Sequence, residues 1–133
     1  MRVKCLCNTG IGFSEYTQMH MGCSINTKLP LEVGDIYVVY GQIIFKGILQ
    51  FLIKGKYEDY PSWYPAEIFE VIDNRLYFDW FFQYYRNEEV SALWGFKELI
   101  FDEQYLDKLM NREKEALKIF LERKKEIDEW IEW

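Results

Sequence analysis

Fifty residues in the middle of the chain, Val33 to Phe82, leave little choice of secondary structure. They read V-G-D-I-Y-V-V-Y-G-Q-I-I-F-K-G-I-L-Q-F-L-I-K, then a loop, then Y-P-A-E-I-F-E-V-I-D-N-R-L-Y-F-D-W-F-F. β-Branched and aromatic residues fill the run, and Gly, Pro, Asn and Asp punctuate it, which is the composition of short antiparallel strands joined by tight turns. Lys46-Gly47 is one such turn, with glycine supplying a positive φ, and Asp73-Asn74 is another. Ile36 to Phe45 is apolar on both faces and is expected to be a central strand. Leu49, Phe51 and Ile53 are expected to face a core, opposite Ile48, Gln50, Leu52 and Lys54. Farther on, Leu76, Phe78, Trp80, Phe82 and Tyr84 alternate with Tyr77, Asp79, Phe81 and Gln83. The first set is expected to be a core face, with Phe78 inside it.

The flanks are different. Met1 to Cys7 reads as a further strand with Val3, Cys5 and Cys7 on one side. It has no long apolar stretch and no small-residue cleavage site, so it is not expected to be a signal peptide. Asn8 to Pro30 lacks any sustained period, and a loop of that length is either functional or conceals a short element. Val90 to Ile100 is short and mixed, and is expected to pack at a sheet edge. From Asp102, a plausible N-cap, the chain is expected to be helical. Tyr105, Leu106, Leu109 and Met110 give one apolar stripe. After an interruption at Asn111, Ala116, Leu117, Phe120, Ile127, Trp130 and Ile131 give a second. The whole is expected to be one α+β domain spanning residues 1–133: residues 1–100 mostly β with the long loop 8–30, and residues 102–133 helical.

Chemistry is sparse. Cys5, Cys7, His20 and Cys23 are zinc-type ligands, but their spacing matches no finger pattern, and no metal or cofactor is expected. Gly10-Ile11-Gly12 lacks the third glycine of a dinucleotide loop. Ser14, Ser24, Ser62 and Ser91 have no nucleophile context. Glu67 and Glu70, placed on a strand at odd spacing, make no acid–base pair. No catalytic residue is assigned, and the chain is not expected to be an enzyme.

Charge and aromatics point to binding instead. The net charge is −6, and residues 67–133 alone carry −7 while residues 1–66 carry +1. That distribution argues against a nucleic-acid partner, which needs Lys and Arg. It suits a basic protein, through electrostatic steering. No apolar run approaches the roughly 20 residues of a membrane span, and a cytoplasmic location is expected. Two stretches are expected to contact the partner. One is the helix end with Asp128, Glu129, Trp130, Glu132 and Trp133, where acidic side chains oppose the helix dipole. The other is the aromatic loop with Tyr57, Tyr60, Trp63 and Tyr64, which could equally close one end of a small barrel.

The run V-G-D-I-Y-V-V-Y-G, then F-L-I-K, then W-Y-P-A-E-I-F-E-V-I-D resembles the pattern of SH3-like small β-barrels over residues 31–82. This implies a small antiparallel barrel with a C-terminal amphipathic helix packed against it. The whole chain also looks like small bacterial immunity proteins of polymorphic or contact-dependent toxin systems. That resemblance implies a protein-binding function: occlusion of a toxin domain, often a basic nuclease. The alternatives are a small enzyme or ligand-binding barrel using the loop 8–30, and a structural or regulatory barrel.

Overall fold

The computed structural model describes residues 1–86 and 88–132. Eight strands form two antiparallel sheets among these residues, and four α-helices accompany them. The strands are β1 (Arg2–Cys5), β2 (Ile36–Val38), β3 (Gly41–Phe45), β4 (Ile48–Ile53), β5 (Ser62–Pro65), β6 (Phe69–Asp73), β7 (Phe81–Tyr84) and β8 (Val90–Gly95). The helices are α1 (Glu15–Met21), α2 (Lys97–Phe101), α3 (Tyr105–Met110) and α4 (Lys114–Ile131). The smaller sheet has the order β2-β1-β6 and the larger β5-β4-β3-β8-β7. Neither sheet closes on itself, so β5 and β7 are open edges of the larger sheet.

β4 is the strand around which the cores are arranged. Phe51 and Ile53 face a cluster with Val3, Cys5, Tyr37 and Phe69 of the smaller sheet. Leu52 faces the opposite way, into a cluster with Phe96, Tyr105, Leu109, Ala116, Phe120 and Ile127. A strand buried on both sides must be apolar on both, and β4 is. Its neighbour β3 joins it through Lys46 (φ 50°) and Gly47 (φ 78°). Two consecutive positive φ values define a type I′ turn, whose twist matches that of the flanking strands. Phe45 pairs with Ile48 on either side of it.

Four expectations need correction. Ile36 to Phe45 is two strands, because the chain leaves the smaller sheet at Val38 and enters the larger at Gly41. Val39 and Tyr40 make that crossing with Val39 in one core and Tyr40 in the other. Leu49 is exposed, and Gln50 is buried. β8 is an interior strand paired to both β3 and β7, not an edge. Of the proposed core face at 76–84 only Trp80 packs against the cores. Residues 74–80 form no strand, Phe78 is 75% exposed, and Leu76, Phe82 and Tyr84 are exposed too. Tyr77 from the supposed outer set is buried instead, where its ring meets Trp130 edge-on at 5.4 Å. The alternation failed because the expected strand does not start until Phe81, so the faces assigned to residues 76–80 have no sheet behind them.

Asn8 to Pro30 conceals α1 and a 3-10 turn at Gly10–Gly12. The Ser14 hydroxyl accepts from the Thr17 amide as N-cap, and Gly22 closes the helix in the left-handed conformation. Gly10 permits the loop to fold back, since a Cβ there would lie 1.8 Å from the Ser24 carbonyl oxygen. Glu67, in a 3-10 turn rather than a strand, accepts from the Ser14 amide at 2.6 Å and from the Thr17 hydroxyl.

The helical region starts earlier than Asp102. α2 precedes it, and Asp102 instead accepts from the Gln104 amide in the corner before α3. Asn111 does end α3, and Arg112 turns the corner at φ 60°. Among the described residues no helix is long and apolar enough to cross a membrane. α4 buries Ala116, Phe120, Ile127 and Ile131. Between Phe120 and Ile127 the stripe has polar anchors. Arg123 donates two hydrogen bonds of 2.8 Å to the Glu98 carboxylate, and Lys124 reaches Asp128. The end of α4 is held by Arg75, which donates to the Ile131 carbonyl at 3.3 Å. Its guanidinium also lies 5.4 Å from the Trp130 ring. This cation offsets the acidic residues at a helix end whose dipole disfavours them.

Two measurements follow. Phe120→Ala is expected to cost about 3–5 kcal/mol in chemical denaturation, as for a fully buried Phe, and Phe78→Ala less than about 1 kcal/mol. The second concerns pH. Arg75 holds the Asp73 carboxyl well below the ordinary carboxylate range, and Arg123 lowers Glu98. The unfolded chain therefore takes up protons that the folded chain still refuses. Their stabilisation is complete above the unfolded carboxylate values of about 4 and is lost as pH falls toward the lowered folded values. Stability of Asp73→Asn/Glu98→Gln should accordingly fall less steeply below about pH 4 than that of the wild type.

Candidate functional site

The helix end meets the residues just before the aromatics of the loop at one groove, which none of Tyr57, Tyr60, Trp63 and Tyr64 lines. It has a volume of about 640 Å³ and runs between β2, the start of the aromatic loop and the end of α4. The loop contributes Lys54, Gly55 and Lys56, and the helix contributes Lys124, Asp128, Ile131 and Glu132. Asp128 is already occupied. The Tyr40 hydroxyl donates to one carboxylate oxygen at 2.6 Å and the Lys124 ammonium to the other at 2.6 Å. Burial and then the Asp128 carboxylate push the Tyr40 hydroxyl far above its ordinary value. It stays protonated and donates. Lys54, Lys56 and Lys124 line this groove with Asp35, Asp128 and Glu132, and at the helix end Lys124 compensates Asp128.

The remaining partner-site expectations divide by burial. Glu129 and Glu132 are exposed. Trp130 is half-buried between Tyr77 and Arg75, so it anchors the helix. Trp133 lies outside the described residues. In the loop only Tyr57 projects fully, at 82% exposure. Tyr60 lies under the Arg112 guanidinium, 4.9 Å from it. Trp63 is half-buried on strand β5, and Tyr64 is buried beside Phe51 and Ile53. Trp63 and Tyr64 therefore belong to the packed body, and the partner-contact assignment fails for Tyr64.

The zinc-type residues do not gather. Cys5 is buried in β1, and burial raises its thiol pKa. His20 is exposed on α1, where its ring stacks on Tyr16 at 4.0 Å. No group of three or more His, Cys, Asp or Glu among the described residues could hold a metal ion.

A surface that periodicity did not find lies on β7. All four of its residues are exposed, and the strand is an open edge. Phe82 packs on Trp94 with ring centroids 4.7 Å apart. Phe81 meets Phe101 edge-on at 4.9 Å, and Phe101 is itself 67% exposed. Phe78 leads into the strand and touches Tyr77 at 4.9 Å, which in turn contacts Trp130. The aromatic row therefore extends from the helix end to the sheet edge. Nothing known matches: no family model, no curated protein and no solved structure matches this chain. The row rests on its own geometry. Surface aromatics that pair with each other beside an open strand edge offer both apolar area and unpaired backbone groups. The signal for it was present in F-F-Q-Y, which has aromatic residues on both faces and one polar side chain, Gln83.

The Tyr40–Asp128 bond is testable by a double-mutant cycle. Tyr40→Phe and Asp128→Asn should each destabilise the chain, and their coupling energy should be about 1 kcal/mol, since the carboxylate is partly exposed. Additive effects would mean that the pair does not hold α4.

Proposed function

We propose that this chain is a protein-binding module, most concretely an immunity protein that binds and covers a basic toxin domain. The observation that carries the reading is the exposed aromatic row of Phe78, Phe81, Phe82, Tyr84 and Phe101 along β7, set in the half of the chain that carries −7. Buried aromatic anchors with a charged rim are the usual energetic centre of a protein interface. The acidic half would steer a basic partner toward it, with a rate that falls as salt rises. The mechanism is occlusion: the row covers the partner's basic active surface, and no chemistry is required of this chain. The reading places the protein in the cytoplasm, where a delivered toxin acts. We infer an SH3-like arrangement as well, supported by the consecutive antiparallel strands β3, β4 and β5.

The test is binding and protection against a basic effector domain encoded next to this chain. Phe82→Ala/Tyr84→Ala should weaken binding at least about tenfold, as for interface hot spots, with circular dichroism unchanged. Glu129→Lys/Glu132→Lys should slow association at low salt and leave it unchanged at high salt. A module that neither binds nor protects against such a domain would refute the immunity reading. Equal affinity of Phe82→Ala/Tyr84→Ala and wild type would remove the β7 row from the interface.

A further inference from the structure

Next to the aromatic row is a second cleft, of about 630 Å³, between the β7–β8 hairpin and the corner joining α2 to α3. Its floor is apolar, built from Val90, Leu93 and Leu106. Leu93 belongs to a buried cluster with Ile43 and Ile100, and Val90, Tyr85 and Leu106 pack against that cluster. The floor is thus backed by the larger sheet and does not depend on loose loops. Around the rim stand Glu88 from the hairpin and Asp102, Glu103 and Asp107 from the helical corner. No lysine or arginine lines the cleft, and none of these four carboxylates enters an ion pair among the described residues.

We propose that this cleft receives a lysine or arginine side chain of the basic partner inferred above. An aliphatic stem with a cationic head matches an apolar floor with an anionic rim, because such side chains bury the stem and keep the head among polar groups. Four carboxylates without an ion pair line one cavity, and a guest cation would be attracted to all of them. Glu88 and Glu103, from two separate elements, both act on the Tyr85 hydroxyl, which burial and then their charges hold above its ordinary pKa. The rim therefore converges on the cleft from both sides. A metal ion is a poorer guest, since the carboxylates ring an apolar floor and are not gathered into a ligand group. The cleft lies on the face of the larger sheet that carries Leu93, which is the face Phe81 shares with Gln83, whereas Phe82 and Tyr84 point to the other face. A partner lying on the Phe81 face of β7 has a side chain within reach of it.

The inference rests on the protein-binding reading, so the test separates the two. The probe is the peptide Ac-Gly-Arg-Arg-Gly-amide, titrated into the full chain while the methyl signals of Val90, Leu93 and Leu106 are followed by NMR. The control peptide carries citrulline, the neutral isostere, in place of arginine. Saturable shifts are expected with arginine and not with citrulline. Glu103→Gln/Asp107→Asn should raise the dissociation constant at least fivefold. Glu32→Gln/Glu70→Gln, an equal loss of charge at exposed positions of the loop before β2 and of β6, should leave it nearly unchanged. Shifts that do not saturate, that citrulline reproduces, or that both variant pairs weaken equally would overturn the inference. If a basic toxin domain binds wild type and Glu103→Gln/Asp107→Asn equally well, the cleft inference falls and the immunity reading stands. If the peptide fills the cleft but no basic toxin domain binds, the immunity reading falls and the cleft keeps its cationic guest.

Discussion

β4 has almost no wet face, and the rest of the molecule depends on that. A strand with apolar residues on both sides cannot sit at the surface of one sheet. It needs a layer above and a layer below, and this chain supplies the smaller sheet on one side and the helices on the other. The layering also explains why residues distant in sequence end up sharing a core. Val3 and Phe69 approach β4 from one side, and Phe96 and Phe120 from the other. Val39-Tyr40 is where the chain passes between the layers, one residue committed to each. Substituting either would disturb a different core, although they are adjacent in sequence.

α4 completes the second layer with a stripe that is not apolar throughout. Where the period would place an apolar side chain near the middle, Arg123 and Lys124 stand instead. Their partners lie on different elements, Glu98 on α2 and Asp128 on α4 itself, and Asp128 is also bonded to Tyr40. Hydrophobic contact alone would allow the helix to slide by a turn with little penalty. Paired charges and a hydroxyl bond at fixed positions do not, because a shifted register would leave partly buried polar groups unpaired. The same polar contacts satisfy Asp128 and leave Glu129 and Glu132 exposed at the helix end.

Much of the fold was legible in the sequence wherever one physical cause dominated. Lys46-Gly47 could only be a hairpin turn, and the spacing of Phe120, Ile127 and Ile131 could only be a buried helical face. The α+β class and the β1 strand follow from equally plain patterns. Legibility failed where two causes competed. In Leu76 to Tyr84 aromatic residues stand on both faces of the expected strand, and tertiary contact with Trp130 drew Tyr77 inward. α1 and α2 are too short for a helical period to emerge from their windows. Of the residues expected to meet a partner, Tyr57, Glu129 and Glu132 are exposed, whereas Tyr64 and Trp130 serve packing, and a sequence of acidic residues cannot show that Asp128 is already satisfied.

β7 is short, aromatic and unpaired along its outer edge, and a strand of that kind is also a template for self-association. Its flanks restrain this. Asp79 precedes it, and Arg86, Glu88 and Glu89 follow it, so any second copy laid along the edge would bring its own charges against these. The strand is limited to four residues, too few for a stable intermolecular ladder. Under the proposed reading a basic chain would meet less repulsion there than a second copy, and the same few charges that restrain fibrillar pairing would also sort visitors by sign.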